Sequence, residues 1–239
     1  MSIQNNVNLD LVLPVYNEEK ILEKNVKKTI SFMADNFSEQ WRIIIADNGS
    51  TDRTADIAEK LNREFSGKIK CLHRVKKGRG GALKQAWGQS RAEIVGYMDI
   101  DLATDLKMLP SLISAIKNGA DVSVGSRLSP ASVIRRSLLR KILSLAYHLI
   151  IKVMFRITKI ADFQCGFKAC KRTSIHHLLP QVMNEEWFFD TELLVTAQRR
   201  GLKIKEIPVE WTEHYESKVR ILKDVFTFLV AIIKFRLGL

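Results

Sequence analysis

The apolar residues of this chain follow two alternating rhythms. Short, nearly unbroken apolar blocks occupy residues 10–15, 41–46, 69–75, 94–98 and 121–125. Blocks of that kind predict strands buried on both faces, as in a parallel sheet. Between them, apolar positions recur at helical spacing. Residues 17 to about 37 put Ile21, Leu22, Val26, Ile30 and Met33 on one side. Ser50 or Thr51 caps a helix running to about residue 65, with Asp52 in its first turn. A loop at 76–81 leads into a helix ending near residue 90, and 105–118 is helical up to a stop at Gly119. Strands alternating with helices predict an α/β fold: a largely parallel central sheet flanked by helices.

The pattern changes after residue 125. Residues 135–159 form one long helical stretch, 162–171 a loop and short strand, and 192–200 a helix closed by Gly201. Residues 203–211 are extended and 219–237 form a last helix. No repeat, low-complexity tract or linker interrupts the chain.

In parallel sheets ligands bind beyond the carboxyl ends of the strands. Asn17-Glu18, Asp47 and Asp99 follow predicted strands and Arg74 stands at the carboxyl end of one, so the topology brings them to one edge. Asp99-Ile100-Asp101 offers two carboxylates at such an end, the hard oxygen donors that Mg²⁺ and Mn²⁺ take while bridging to phosphates. Alone, the same triplet also suits a turn or a helix cap. Asp47-Asn48-Gly49-Ser50-Thr51-Asp52 suits reading a base edge, and equally an ordinary strand-to-helix turn. Lys76-Lys77-Gly78-Arg79-Gly80-Gly81 is basic and glycine-rich before a helix, which suits either a phosphate cradle or a solvated loop. It is neither a P-loop nor a dinucleotide fingerprint.

Composition narrows the partners. The 239 residues are 46% hydrophobic and carry a net charge of +12, which favours polyanionic partners. Cys71, Cys165 and Cys170 are odd in number and contain no CxxC pair. They predict reduced, mostly buried thiols and a cytosolic compartment rather than a disulfide framework or zinc site. The N-terminus lacks a signal-peptide pattern, and no apolar stretch reaches the roughly 20 residues that span a bilayer.

Charge is most uneven between residues 122 and 161, where there is no acid. Arg127, Arg135, Arg136, Arg140, Lys141, Lys152, Arg156 and Lys159 alternate there with Leu138, Leu139, Ile142, Leu145, Leu149, Ile150, Val153 and Met154. The closing segment, with Lys223, Lys234 and Arg236, has the same character. Basic amphipathic helices of this kind predict peripheral, monotopic binding to an anionic membrane surface. Interleaving with large aliphatic rather than aromatic residues argues against nucleic acid as a partner.

Taken together, these motifs resemble a known family. Pro14-Val15-Tyr16-Asn17-Glu18, Asp47 to Asp52, Gly78-Arg79-Gly80 and Asp99-Ile100-Asp101 stand in the order and spacing of glycosyltransferase family 2, over about residues 9–215. Gly125-Ser126-Arg127, Asp162-Phe163-Gln164-Cys165-Gly166-Phe167-Lys168 and Phe189-Asp190-Thr191-Glu192-Leu193-Leu194 look like its polyprenyl-phosphate sugar synthases. Ala103, where the mannosyl branch typically has Gln, and Trp211-Thr212-Glu213 point to the dolichyl-phosphate beta-glucosyltransferase group.

The resemblance implies a single GT-A domain with a nucleotide-sugar half (about 8–125), an acceptor half (about 126–215) and a closing amphipathic helix (about 217–239). It implies a nucleotide-sugar pocket of Pro14, Tyr16, Asn17, Glu18, Asp47, Asn48, Gly49, Arg74, Lys77, Gly78, Gly80, Asp99 and Ile100. Within that pocket Tyr16 packs on the base and Asp47 reads the uracil edge. Asp101, with Asp99, would ligate Mg²⁺ or Mn²⁺; Ala103 cannot. Arg127 and Arg140 would meet the acceptor phosphate, and Asp162 and Gln164 would orient sugar or acceptor. Asp190 and Glu192 fit either a place beside the sugar or a structural role, whereas His148, His176 and His177 match no motif and read as structural.

The implied activity is inverting transfer of glucose from UDP-glucose to a polyprenyl (dolichyl) phosphate at a cytosolic membrane face. The alternatives are mannosyl transfer from GDP-mannose to the same lipid, or a saccharide acceptor. A saccharide acceptor needs a general base, and the chain lacks a clear Gln-x-x-Arg-Trp element.

Overall fold

A computed structural model describes residues 8–213 and 221–238. The chain runs β1 (Leu9–Val15), α1 (Leu22–Asn36), β2 (Trp41–Asp47), α2 (Thr54–Glu64), β3 (Ile69–His73), α3 (Arg79–Gln89), β4 (Ile94–Met98), α4 (Leu109–Lys117) and β5 (Val122–Ser126). It continues with β6 (Val133–Arg135), α5 (Leu138–Phe155), β7 (Phe167–Lys171), α6 (Arg172–His176), α7 (Phe189–Arg199), β8 (Ile204–Pro208), β9 (Glu210–Thr212) and α8 (Ile221–Leu237).

Seven strands form one sheet in the order β3-β2-β1-β4-β7-β5-β8. Strands β1 to β4 are mutually parallel, and β5 is parallel to β8. β7 runs antiparallel between β4 and β5, so β4 and β5 still end on the same edge. All seven residues of β1 are buried, including Asp10, whose carboxylate takes a bidentate pair from Arg42 (3.0 and 2.9 Å) and a hydrogen bond from Ser90 Oγ (2.6 Å). Matched in this way, a buried charge is tolerated in a central strand.

The register creates the crevice. β1 pairs with β2 along its whole length, but with β4 only from Leu9 to Val12. Pro14, which has no N–H to donate, lies where β4 has already left the ladder. The strand order also reverses between β1 and β4, and at such a switch point the chain opens a cleft at the carboxyl ends.

Several boundaries differ from the sequence expectations. The first helix starts at Leu22 rather than near residue 17, because Asn17 (φ 54°) adopts a left-handed turn. Strand β6, three residues long, was not expected from the pattern; it pairs parallel with β9, which falls at the end of the extended stretch expected at 203–211. Val219 and Arg220, expected to open the last helix, lie outside the described residues. Among the described residues, no helix is long and apolar enough to cross a membrane.

Candidate active site

The carboxyl ends of β1, β2, β3, β4 and β5 deliver Tyr16, Asp47, Arg74, Asp99 and Arg127 to one edge. β7 enters the sheet from that same edge, so Asp162 to Gly166 join them. Asp99 N–H donates to Gly166 O (3.1 Å), and a Cβ on Gly166 would fall 1.8 Å from the Asp99 carboxylate. A larger residue at 166 would push the Asp99 carboxylate aside.

The turn after β4 is strained. Leu102 sits at φ 54°, a conformation costly for a bulky residue. Asp101 accepts the Ala103 N–H (3.0 Å), while Thr212 N–H donates to Ala103 O (2.9 Å) and Thr104 bridges Trp211. β9 thus clamps the turn and holds Asp101 at the surface. The Asp99 side chain is 42% exposed. Two outward carboxylates at a strand end are a hard-donor set suited to Mg²⁺ or Mn²⁺. Among the described residues, Glu59 of α2 with Cys71 and His73 of the edge strand β3 also has metal-ligand types.

Arg79 was read from the sequence only as part of a glycine-rich loop, and it proves central. One end of its guanidinium donates to Asp99 Oδ1 and the other to Asp190 Oδ2, both at 2.6 Å. It stacks between Tyr97 (5.0 Å) and Trp187 (4.9 Å). Asp190 is buried and also receives Lys168 Nζ (2.7 Å) and the Tyr97 hydroxyl. Burial opposes its ionisation, but Lys168 and Arg79 outweigh burial and hold its carboxyl below the usual range. Asp190 is thus a buried anchor beneath Asp99. Glu192 accepts Met183 and Asn184 N–H (2.8 and 2.7 Å), which gives it the structural role.

The glycines of that loop serve packing. Gly78 N–H donates to Asn48 Oδ1 (2.6 Å) and Gly81 N–H to Glu185 O (2.9 Å). A Cβ on Gly80 would lie 2.5 Å from Phe189. Residues 184–189 pack against Gly78 and Gly80. Gly49 (φ 75°) likewise presses on Val75 and Arg74 carbonyls. Arg74 pairs with Glu185 (3.2 Å).

At the base end, the Lys77 ammonium lies over the Tyr16 ring at 3.9 Å. Asn17 exchanges hydrogen bonds with Ser50 and Thr51, and Glu18 N–H donates to Thr54 Oγ1 (2.7 Å). Asp47 accepts Ser50 N–H (3.1 Å) and faces His73 Nδ1 (3.3 Å), whose other nitrogen faces Glu59 (2.8 Å). Partial burial opposes the His73 charge, but the two carboxylates raise its pKa. Ile100 is buried, its carbonyl taken by Asn25 (2.8 Å).

The acceptor side is organised around Asp162. It is fully buried and accepts Nε and Nη2 of Arg127 (2.7 and 2.9 Å), His148 Nε2 (3.0 Å) and Gln164 N–H (3.0 Å). Burial opposes its charge, but the Arg127 guanidinium holds it well below the usual carboxylate range. An Asp162 contact with sugar or acceptor, expected from the sequence, does not fit: both oxygens are spent, so Asp162 acts through Arg127. Gln164 bonds Tyr147 and Thr191 (3.2 and 2.6 Å), tying α5 to α7. Burial draws His148 down to about 4, so it is neutral. Burial raises the Cys165 thiol to about 12, leaving it inert as a nucleophile. Arg140 pairs with Glu213 at the start of α5.

Helix α5 has a contiguous apolar face turned outward. Leu138, Ile142, Leu145, Leu149 and Val153 are 72%, 55%, 46%, 63% and 69% exposed, and Leu229, Ile233 and Leu237 of α8 are exposed too. On the inner face Ile151 and Phe155 are buried, and Phe155 stacks on Phe235 of α8 at 5.1 Å.

Comparison with known proteins agrees with this geometry. A family model described as Glycosyl transferase family 2 matches residues 10–179. Glycosyltransferase AglD of Haloferax volcanii is 36% identical over 92% of this chain, which spans 35% of that protein. The dolichyl-phosphate beta-glucosyltransferase of Saccharomyces cerevisiae is 32% identical over 90% of this chain and 70% of its own length. The human protein of that name is 33% identical over 88% and 69%. Among solved structures, glucosyl-3-phosphoglycerate synthase of Mycobacterium tuberculosis, in complex with Mn²⁺ and UDP-glucose, shares the fold. It covers 98% of this chain and 80% of its own at TM-score 0.69 and 19% identity. With the motif acids gathered at one sheet edge and relatives matched over most of its length, the chain belongs to glycosyl transferase family 2 and is a glycosyltransferase of GT-A fold.

Proposed function

We propose that this enzyme transfers glucose from UDP-glucose to a polyprenyl (dolichyl) phosphate, with inversion, while lying on the cytosolic face of a membrane. The observation that carries this reading is a join. Trp211, with Arg127 and Arg136 against its ring at 5.7 and 5.6 Å, bridges Thr104, three residues beyond Asp101. A cationic site for an acceptor phosphate therefore borders the acids proposed for the donor diphosphate, and α5, with its exposed apolar face, starts from the same place. The names of the relatives and the UDP-glucose in the neighbouring structure support the donor and acceptor classes.

In this scheme Tyr16, Asn17, Glu18 and Asp47 frame the nucleotide, and Asp47 keeps its orientation through Ser50 and His73. Asp101 and Asp99 would hold a divalent cation, which supplies charge stabilisation to the departing diphosphate. Arg79 fixes Asp99 from below. Arg127 and Arg140, each steadied by a carboxylate, draw the lipid phosphate to the anomeric carbon. One phosphate oxygen forms the new C1–O bond with its own electron pair while the C1–O bond to UDP breaks and UDP keeps that pair. The nucleophile is already ionised at neutral pH, so no side chain has to remove a proton, and positioning supplies the remaining acceleration.

Peripheral membrane binding follows from the same helices. The apolar faces of α5 and α8 would enter the interface, with Lys141, Lys152 and Lys234 meeting anionic headgroups. The free thiols fit a reducing compartment. The test is turnover with UDP-glucose and GDP-mannose against polyprenyl phosphate, with and without Mn²⁺. Metal-dependent transfer from UDP-glucose is expected, and exclusive use of GDP-mannose would overturn the donor assignment.

A further inference from the structure

Arg127, Arg136 and Arg140 lie close together near the head of α5, and they are not equivalent. Arg127 gives two of its nitrogens to Asp162, and Arg140 gives one to Glu213. Each is thereby charge-matched and fixed. Arg136 lies between them in sequence, half-buried, with its guanidinium 5.6 Å from the Trp211 ring centroid. Its Nε is shut off from solvent and hydrogen-bonds to nothing among the described residues. Nor does Arg136 form an ion pair there. Among the described residues Arg127 and Arg140 each have a carboxylate partner, and Arg136 has none.

A buried, unpaired N–H is uncommon because desolvation is not returned by a partner. Arg136 is strained electrostatically as well: burial, and then the like charge of Arg127, draw its pKa down to about 10. The electrostatic cost is offset when an anion meets the terminal nitrogens of the guanidinium. A planar guanidinium matches two phosphate oxygens in a fork, and stacking on an indole holds that fork in one plane.

We propose that Arg136 binds the acceptor phosphate alongside Arg127 and Arg140 and sets selectivity for a charged over a neutral acceptor. The inference rests on the polyprenyl-phosphate reading above and goes beyond it by assigning a third ligand that has no carboxylate partner of its own among the described residues. Trp211 becomes the reporter of occupancy, since its ring shares a face with the guanidinium. The anion could also be a free phosphate, so the lipid and the inorganic ion are compared.

The experiment has two arms on the full chain. In the first, Arg136→Gln and Arg136→Lys are assayed for transfer to polyprenyl phosphate with both substrates varied. The expected result is a KM for the lipid phosphate raised about 10- to 100-fold in Arg136→Gln, the size of a lost charge-assisted pair. Partial rescue is expected in Arg136→Lys, with the KM for UDP-glucose within about twofold of wild type. An unchanged acceptor KM in an active variant, or equal damage to both KM values, overturns the inference while leaving the acceptor class standing. In the second arm, tryptophan fluorescence is titrated with farnesyl phosphate, farnesol and inorganic phosphate, with Trp211→Phe as control. Arg136-dependent quenching by farnesyl phosphate, and not by farnesol, supports the proposal even where turnover is weak. Quenching that is equal for farnesol, or that persists in Arg136→Gln, overturns it. Quenching by inorganic phosphate at the same concentration overturns selectivity for the lipid form. Wild type that neither binds farnesyl phosphate nor transfers sugar to any polyprenyl phosphate overturns both readings together.

Discussion

The two halves of the molecule handle charge and apolar surface in opposite ways. From β1 to β5 nearly every apolar side chain points inward and the buried charges are matched: Asp10 with Arg42 and Ser90, and Arg79 with Asp99 and with Asp190 of α7. Around α5 and α8 large aliphatics face outward, and cations exceed their acidic partners. The first half closes around its core, whereas the second leaves apolar and cationic surface open among the described residues. In the proposed scheme the first frames the donor, and the second meets the membrane and the acceptor.

The comparison can be broken first at its buried anchor. Asp190→Ala strands Arg79 and Lys168 in the interior, and breaking a buried pair of this kind costs about 3–5 kcal/mol. Thermal or urea unfolding should show that loss, with Asp190→Asn between the two; an unaltered midpoint would remove the anchor from the account. Asp101→Ala should do the reverse. Its side chain is exposed, so unfolding should barely move, while turnover falls about 10²- to 10³-fold. Normal turnover in that variant would refute the metal assignment.

The acceptor half gives smaller effects. His148 is neutral when folded, with a pKa near 4 against an ordinary value of 6.5. In between, the unfolded chain binds the proton and the folded chain does not, so stability is complete above pH 6.5 and declines as pH falls toward 4. The decline attributable to His148 amounts to about 3 kcal/mol. His73, shifted upward, acts above that window, and Asp162, shifted downward, acts below it. Unfolding midpoints from pH 7.5 to 4.5 should slope in wild type and flatten in His148→Gln. Parallel slopes would assign the titration elsewhere. Smallest is Leu149→Glu, on the outward face. It should leave folding unchanged and weaken partition onto anionic vesicles by about tenfold. Equal flotation of the variant and wild type would mean that this face meets no lipid.

Much of this contrast was legible in the chain. Period and block length made the β1 to β5 units legible, because most strand positions are apolar and α1, α2 and α4 carry one-sided stripes. The absence of acid from 122 to 161 marked the surface of α5. Features built from distant segments were hidden. Arg79 stands between glycines and looked like loop, and its partners Asp99 and Asp190 lie 20 and 111 residues away. The one local hint was a buried-looking Arg flanked by residues too small to cover it. Gly166 was read as part of a motif, yet its role depends on β7 inserting antiparallel beside β4. Asp162 was expected at the substrate because acids in motifs usually face ligands; its saturation by Arg127, His148 and Gln164 appears only once α5 is folded back.

The most direct test of the central claim is the product itself. Incubation with UDP-glucose, Mn²⁺ and a polyprenyl phosphate in anionic vesicles, followed by mass spectrometry and anomeric proton coupling, reads both the bond made and its configuration. The account predicts a β-linked glucosyl phosphodiester of the lipid, formed in step with UDP release and lost in Asp101→Ala. A glucosylated saccharide with no lipid phosphodiester, or an α-linked product, would contradict it.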